Sequence, residues 1–345
     1  MKIRATQCMG LLLLGHVLLA ACDQPATQAV FRHDTATDAT PWTTERFDNS
    51  AGNFMFALVS DLNGGERERI FEIAMAQLAL LRPEFVISLG DLIDGGSEDR
   101  GKLNAEWDSI DARAATTSAP LFYLGGNHDL TNLTMRDVWE QRYGARYYHF
   151  LYKNVLYMIL DTEDNDAARM HEIYVARAAA IEVLQGDEPE KWSETEYYHM
   201  PERRYGRLGS EQIAYFRDVL AGYPDVRWTF LYMHKPAWQS AGETGFGDIE
   251  SALGKRLYTV FNGHEHNYSH TERHGRDHIT LGTTGGSQTA PGEMAFDHVT
   301  LVTMTDEGPV IGNLRMDGIL DKSGHIPLGG DELCYQISRC GRAAQ

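Results

Sequence analysis

Cysteine is scarce here, four in 345 residues, and none falls in the polar motifs of the chain's middle, so no thiolate centre is expected there. Positive charge is also short. Lys plus Arg number 31 against 49 Asp plus Glu, a net charge of −18. An acidic exterior repels nucleic acid and anionic lipid, and nucleic acid is not an expected partner. A small phosphate ester is still admissible at a metal site, because bound cations dominate the local field. No internal repeat appears, and no apolar run in the body of the chain has transmembrane length. The length suits one large domain or two small ones, and the 43% hydrophobic content is enough for a sizeable core.

What the N-terminus contains is a targeting pattern. Lys2 and Arg4 precede the mostly apolar Leu11 to Ala20, and Leu19-Ala20-Ala21-Cys22 follows. One reading is an ordinary secretory signal peptide over residues 1–21, cut near Ala21. The other, which is the expectation, is a lipoprotein signal, because Leu-Ala-Ala-Cys resembles the bacterial lipobox with Cys22 as the lipidated residue. The protein is then expected in the cell envelope, held to a membrane by its lipid. In a Gram-negative cell that would be the periplasmic side of the inner membrane, since Asp23 resembles a retention signal. Residues 22–53, rich in Ala, Thr, Asp and Pro with scattered Phe31, Trp42 and Phe47, read as a flexible tether. Cys334 and Cys340 remain for the exported chain. A disulfide clipping a C-terminal tail over 321–345 is expected, with two free thiols as the alternative.

The body, residues 54–320, has an alternating rhythm. Phe54 to Ser60, Phe85 to Leu89 and Leu121 to Leu124 are strand-like, and Glu66 to Leu81 and about 102 to 116 are helical. Strand–helix alternation predicts an α/β fold with parallel pairing and ligands at the carboxyl ends of the strands. Two apolar runs flanking Tyr152-Lys153-Asn154 predict a hairpin. Ala167 to Leu184 is helical. Gly186 to Arg207, rich in Tyr and Glu, reads as an inserted polar loop near the site. Later strands are expected over 227–233, 258–262, 278–284, 298–304 and 310–316.

Five polar motifs sit where apolar runs end: Asp61-Leu62-Asn63, Gly90-Asp91-Leu92-Ile93-Asp94, Gly126-Asn127-His128-Asp129, His234, and Gly263-His264-Glu265-His266. Singly, Asp91 could be a turn cap, and His128 or His234 a satisfied structural histidine. His264 and His266 could be a polar turn. Together they form an oxygen and nitrogen donor set suited to Mn, Fe or Zn.

This order of motifs resembles the calcineurin-like metallophosphoesterase superfamily, over about Phe54 to Met316. The resemblance implies a four-layer αββα sandwich of two mixed β-sheets flanked by helices, and a site for two divalent metal ions. Asp91 would bridge both ions, Asp61 and His266 would bind the first, and Asn127, His234 and His264 the second. It implies a metal-dependent hydrolase of small phosphate esters, mono or di, acting through a dinuclear metal-activated hydroxide. His128 would be the general acid or a stabilising cation, Asp94 the carboxylate orienting it, and Asp129 a further supporting carboxylate. The sequence departs from the superfamily pattern at Asn63, where His is usual. Asn63 ligates the first ion through oxygen, or that ion is held loosely, or a water takes the position. No Arg follows Asp94 and no Tyr interrupts the second motif, unlike the protein phosphatase and purple acid phosphatase branches. Arg203, Arg204 and Arg207 with Tyr197, Tyr198 and Tyr205 form a basic-aromatic patch, either a solvated loop or a lid over the leaving group. The alternative function is a non-catalytic metal- or ligand-binding surface lipoprotein of the same fold.

Overall fold

A computed structural model describes residue 43 and residues 50–340, apart from 241, 243 and 289–291. The expected signal peptide, Cys22 and nearly all of the expected tether lie outside the described residues. From Gly52 onward the chain is one unit, and the segment after residue 320, expected as a tail, belongs to it. Ile326 and Tyr335 are buried in its core, and a disulfide joins Cys334 to Cys340.

The chain first lays down half of one sheet. Strands β1 (Phe54–Val59), β2 (Val86–Ser88) and β3 (Leu121–Phe122) run parallel, linked by α1 (Ile70–Leu81) and α2 (Arg100–Ala114). Helices α3 (Asn127–Leu130) and α4 (Leu133–Tyr143) follow. A second sheet then opens with the hairpin β4 (Tyr148–Tyr152) and β5 (Val155–Ile159). Its turn residues Lys153 and Asn154 both have positive φ, 44° and 59°, as a tight right-twisted hairpin requires. Next come α5 (Ala167–Gln185), α6 (Glu196–His199), α7 (Ser210–Gly222), β6 (Trp228–Met233), α8 (Phe246–Leu253), β7 (Tyr258–Asn262), β8 (Ser269–Arg273) and β9 (Arg276–Thr280). Strands β10 (His298–Thr305) and β11 (Gly308–Arg315) return to the first sheet, and α9 (Ile337–Cys340) closes the described chain. The strand orders are β11-β10-β1-β2-β3 and β4-β5-β6-β7-β9-β8. Both sheets are mixed, because β10, β11, β4 and β8 pair antiparallel.

The strands read as unbroken apolar runs because both of their faces are covered. On β1, Phe54, Phe56 and Leu58 point between the sheets, where they meet Tyr157, Phe230 and Phe261. The alternate residues Ala57 and Val59 face the helical layer of α1, α2 and α4. On the second sheet, Leu156, Met158, Leu231 and Met233 face α7 and α8. Helix, sheet, sheet and helix give the four-layer sandwich that the motif order implies.

Local departures have physical causes. Helix α1 starts at Ile70 rather than near Glu66, because Arg67 is drawn away. Its guanidinium donates to Gly286 O, Cys334 O and both oxygens of buried Asp297. The stretch 186–207 is more than a solvated loop. It carries α6 and packs Tyr197 and Met200 against Ile173, Ala176 and Ala180 of α5. Among the described residues, no helix is long and apolar enough to cross a membrane.

Candidate metal centre

The five motifs meet at one place because they end parallel strands of both sheets. Asp61 follows β1, Asp91 follows β2, Asn127 opens α3 after β3, His234 follows β6, and His264 and His266 follow β7. Backbone hydrogen bonds knit these loops together: Asp61 N to Gly90 O (3.2 Å), Asn63 N to Asp91 O (2.8 Å) and Gly263 N to His234 O (3.0 Å). Gly90 has a φ of +93°, and a Cβ there would lie 2.7 Å from Gly126 N and 2.9 Å from His234 Nδ1. Only glycine lets the second and third loops and His234 approach this closely.

Asp91, His234 and His264 offer one ligand atom each within 4.8 Å of one another. Beside them, His266 Nε2 lies 3.4 Å from Asp61 Oδ1. Each imidazole is held by a backbone carbonyl on its other nitrogen. His234 Nδ1 meets Leu89 O at 2.8 Å, His264 Nε2 meets Arg203 O at 2.7 Å, and His266 Nδ1 meets Ser287 O at 2.5 Å. Donation to those carbonyls fixes which nitrogen of each ring faces the centre: His234 Nε2, His264 Nδ1 and His266 Nε2, the positions whose lone pairs a metal would take. At the centre itself, the buried atoms Asn127 Oδ1 and His234 Nε2 have no hydrogen-bond partner. His234 Nε2 is 3.1 Å from Asp91 Oδ2 but misaligned for a hydrogen bond. Leaving such a group unsatisfied costs about 1–3 kcal/mol. A divalent ion would satisfy both, so the residues present fit the metals that the motifs imply.

Four of the six residues sit in the left-handed backbone region: Asp61 (φ 50°), Asp91 (54°), His264 (75°) and His266 (52°). Each such residue costs roughly 1–3 kcal/mol, and concentration of that strain is a mark of a functional site. The conformation at His264 is held by its N–H, which donates to both oxygens of Asp61 at 3.0 and 3.1 Å.

The charges are interlocked. Burial would raise the Asp91 carboxyl, but His234 and His128 hold it well below the usual carboxylate range. Burial opposes protonation of His234, yet Asp91 pushes it up to about 9. Burial, with His234 and Lys235 nearby, drives His264 well below the ordinary imidazole value. A metal entering the centre must therefore displace a proton from His234, and binding weakens as the pH falls.

The remaining predicted residues are placed as follows. Asn63 is buried, and the one hydrogen bond of its side chain runs from Nδ2 to Leu92 O at 2.9 Å. The structure thus gives Asn63 a tie between the first and second loops. Asn63→Ala is expected to lower stability by about 1–2 kcal/mol while metal content stays unchanged, measured by denaturant unfolding and elemental analysis. Lost metal in that variant would make Asn63 a ligand. Asp94 meets His128 through its backbone carbonyl, 2.9 Å from Nδ1, not through the expected carboxylate. That carboxylate is largely exposed and lies 3.8 Å from Lys102 Nζ. Asp129 is fully buried and turned away from the cavity. Its oxygens accept from Leu92 N, Ile93 N and Gly126 N, so it clamps the second and third loops together, and burial raises its carboxyl to about 7. Engaged with these three amides, Asp129 shapes the centre by holding its loops. His128 lines the cavity, and its backbone N–H donates to Asp91 Oδ1 at 2.8 Å.

The cavity beside these residues has a volume of about 770 Å³. One wall is His128, His264 and His266. The opposite wall comes from α5 and the insertion, with Ile181, Trp192, Tyr197, Arg203 and Arg204. The sequence reading missed Arg177. It sits in α5 and its Nη2 lies 3.2 Å from His128 Nε2. Helical spacing puts Arg177, Ile181 and Leu184 on one face, but nothing in the sequence says what that face meets.

The sequence pattern described as calcineurin-like phosphoesterase matches residues 54–268. Curated protein sequences give no match. Among solved structures, a dimetal phosphatase from Danio rerio is 14% identical, with a TM-score of 0.51 over 75% of this chain and 98% of that one. The purple acid phosphatase PPD1 from yellow lupin (Lupinus luteus) is 15% identical, with a TM-score of 0.51 over 78% and 53%. GAP50, the anchor in the inner membrane complex of Plasmodium, is 15% identical, with a TM-score of 0.50 over 80% and 87%. At these identities the likeness is one of fold.

Proposed function

We propose that this chain, which belongs to the calcineurin-like phosphoesterase family, hydrolyses phosphate esters with the help of two divalent ions held at the strand ends. The observation that carries the proposal is the pair of orphaned buried polar atoms, Asn127 Oδ1 and His234 Nε2, beside Asp91 and two further imidazoles of fixed orientation. Asp61 and His266 would hold the first ion, Asn127, His234 and His264 the second, and Asp91 both. Mn, Fe and Zn all suit this donor set. Bound there, the ions would neutralise phosphoryl charge and lower the pKa of a water.

The chain's own residues supply the rest. His128 is anchored through Nδ1 to Asp94 O, which leaves Nε2 on the cavity side; once that nitrogen has taken up a proton, the imidazolium can hand it to the departing oxygen. The wall of Ile181, Trp192 and Tyr197 keeps water off the organic part of the ester. The test is turnover of a panel of phosphate esters by the protein reconstituted separately with Mn, Fe and Zn. Metal-dependent hydrolysis supports the proposal. Tight metal binding without turnover of any ester would support instead a non-catalytic binding protein of the same fold.

The lipid anchor is part of this proposal. Cys22→Ser is expected to move the protein from the membrane to the soluble fraction, read by fractionation with labelled fatty acid. Equal membrane retention would point to an uncut signal helix or a protein partner.

A further inference from the structure

Two Lys or Arg residues are buried among the described residues, Lys235 and Arg177. Lys235 is paired in the ordinary way, 2.7 Å from Glu163. Arg177 is 7% exposed and makes no ion pair with a carboxylate among the described residues. Its recorded hydrogen-bonding contacts are from Nη2 to the ring of His128, 3.2 Å from Nε2 and 3.5 Å from Nδ1. Its Nη1 lies against the backbone at Gly96, where φ is +61° and a Cβ would come within 2.9 Å. The guanidinium therefore lines the cavity, beside the metal-centre residues, with most of its donors unspent. A buried cation without a counter-charge is strongly disfavoured, and the fold tolerates it where an anion arrives to pair with it.

Resting on the phosphoesterase reading above, we infer that Arg177 grips a non-bridging phosphoryl oxygen and selects phosphomonoesters over phosphodiesters. A monoester dianion has three non-bridging oxygens, and a diester monoanion has two. With one oxygen engaged at each of two ions, a monoester keeps a third oxygen for the guanidinium, and a diester keeps none. A charged phosphoryl oxygen is also a stronger acceptor than a neutral imidazole, so the ester would draw Arg177 off His128 Nε2. That release frees the Nε2 lone pair to take up a proton from solvent and pass it to the leaving oxygen. In the substrate-free protein the same contact occupies the cation and keeps it in position.

The test uses the metal-loaded full chain as wild type, Arg177→Met and Arg177→Lys, with 4-nitrophenyl phosphate and bis(4-nitrophenyl) phosphate, whose leaving group is the same. Arg177→Met is expected to lower kcat/KM for the monoester by about 10²–10³-fold, the loss usual for one charge-stabilising donor. The diester value should change by less than about threefold, because no oxygen of the diester depends on Arg177. Arg177→Lys, which keeps the charge without the fork, should fall between, and it decides the matter if the Met variant loses metal. Calorimetric binding of inorganic phosphate should weaken at least about tenfold in Arg177→Met at equal metal content. Equal loss on both esters would overturn the inference and leave Arg177 as a support for His128. Unchanged phosphate binding would overturn it as well. A wild type that turns over neither ester would sink the proposed function, and phosphate binding would still decide the role of Arg177.

Discussion

Asp91→Asn is expected to abolish turnover and to strip most of the bound metal. The residue is 2% exposed and almost isosteric with its replacement, so the fold should survive. Its Oδ1 accepts the backbone N–H of His128, a bond an amide oxygen can keep. The amide nitrogen then faces His234 Nε2, 3.1 Å from Oδ2 in the wild type, and can donate to the lone pair that a metal would need. One substitution thus removes the shared negative charge and blocks a neighbouring imidazole. Elemental analysis of the folded variant is the measurement, and unchanged metal content would refute the bridging role.

His128→Ala should lower turnover by about 10²–10⁴-fold, the range for a lost general acid, with metal content intact. The separation of the two effects follows from how His128 is attached. Its contact with Asp91 is through the backbone and persists in alanine, whereas its ring meets Asp94 O and Arg177. Steady-state kinetics beside elemental analysis makes the distinction. Full activity would remove His128 from the chemistry, and lost metal would make it a ligand. The loss should also be smaller for an ester whose leaving group departs without a proton, which a merely structural role would not produce.

Much of the architecture was legible because it is locally encoded. Phe54 to Val59, Trp228 to Met233 and Tyr258 to Asn262 are apolar on both faces, and each ends abruptly at ligand-type residues. Strand β8 escaped notice because Ser269–Arg273 is a largely exposed, polar edge strand with no apolar alternation to betray it. Helix α8 carried its signal openly, with Phe246, Ile249 and Leu253 buried at helical spacing, and was overlooked beside the stronger motifs.

The sequence by itself determined which residue types stand at the strand ends and in what order, since both are properties of short stretches. Which atoms those residues present was decided only by the tertiary structure. The carbonyls that set the three imidazoles come from Leu89, Arg203 and Ser287, which are 145, 61 and 21 residues from their histidines. The assignment of Asp94 turned on a backbone carbonyl, and that of Asp129 on three amide donors from the second and third loops. Arg177, 49 residues from His128, became part of the site because α5 packs over the strand ends. Hydrogen bonds and ion pairs fix tautomers, charges and side-chain direction through partners distant in the chain, and no window of the sequence contains both partners.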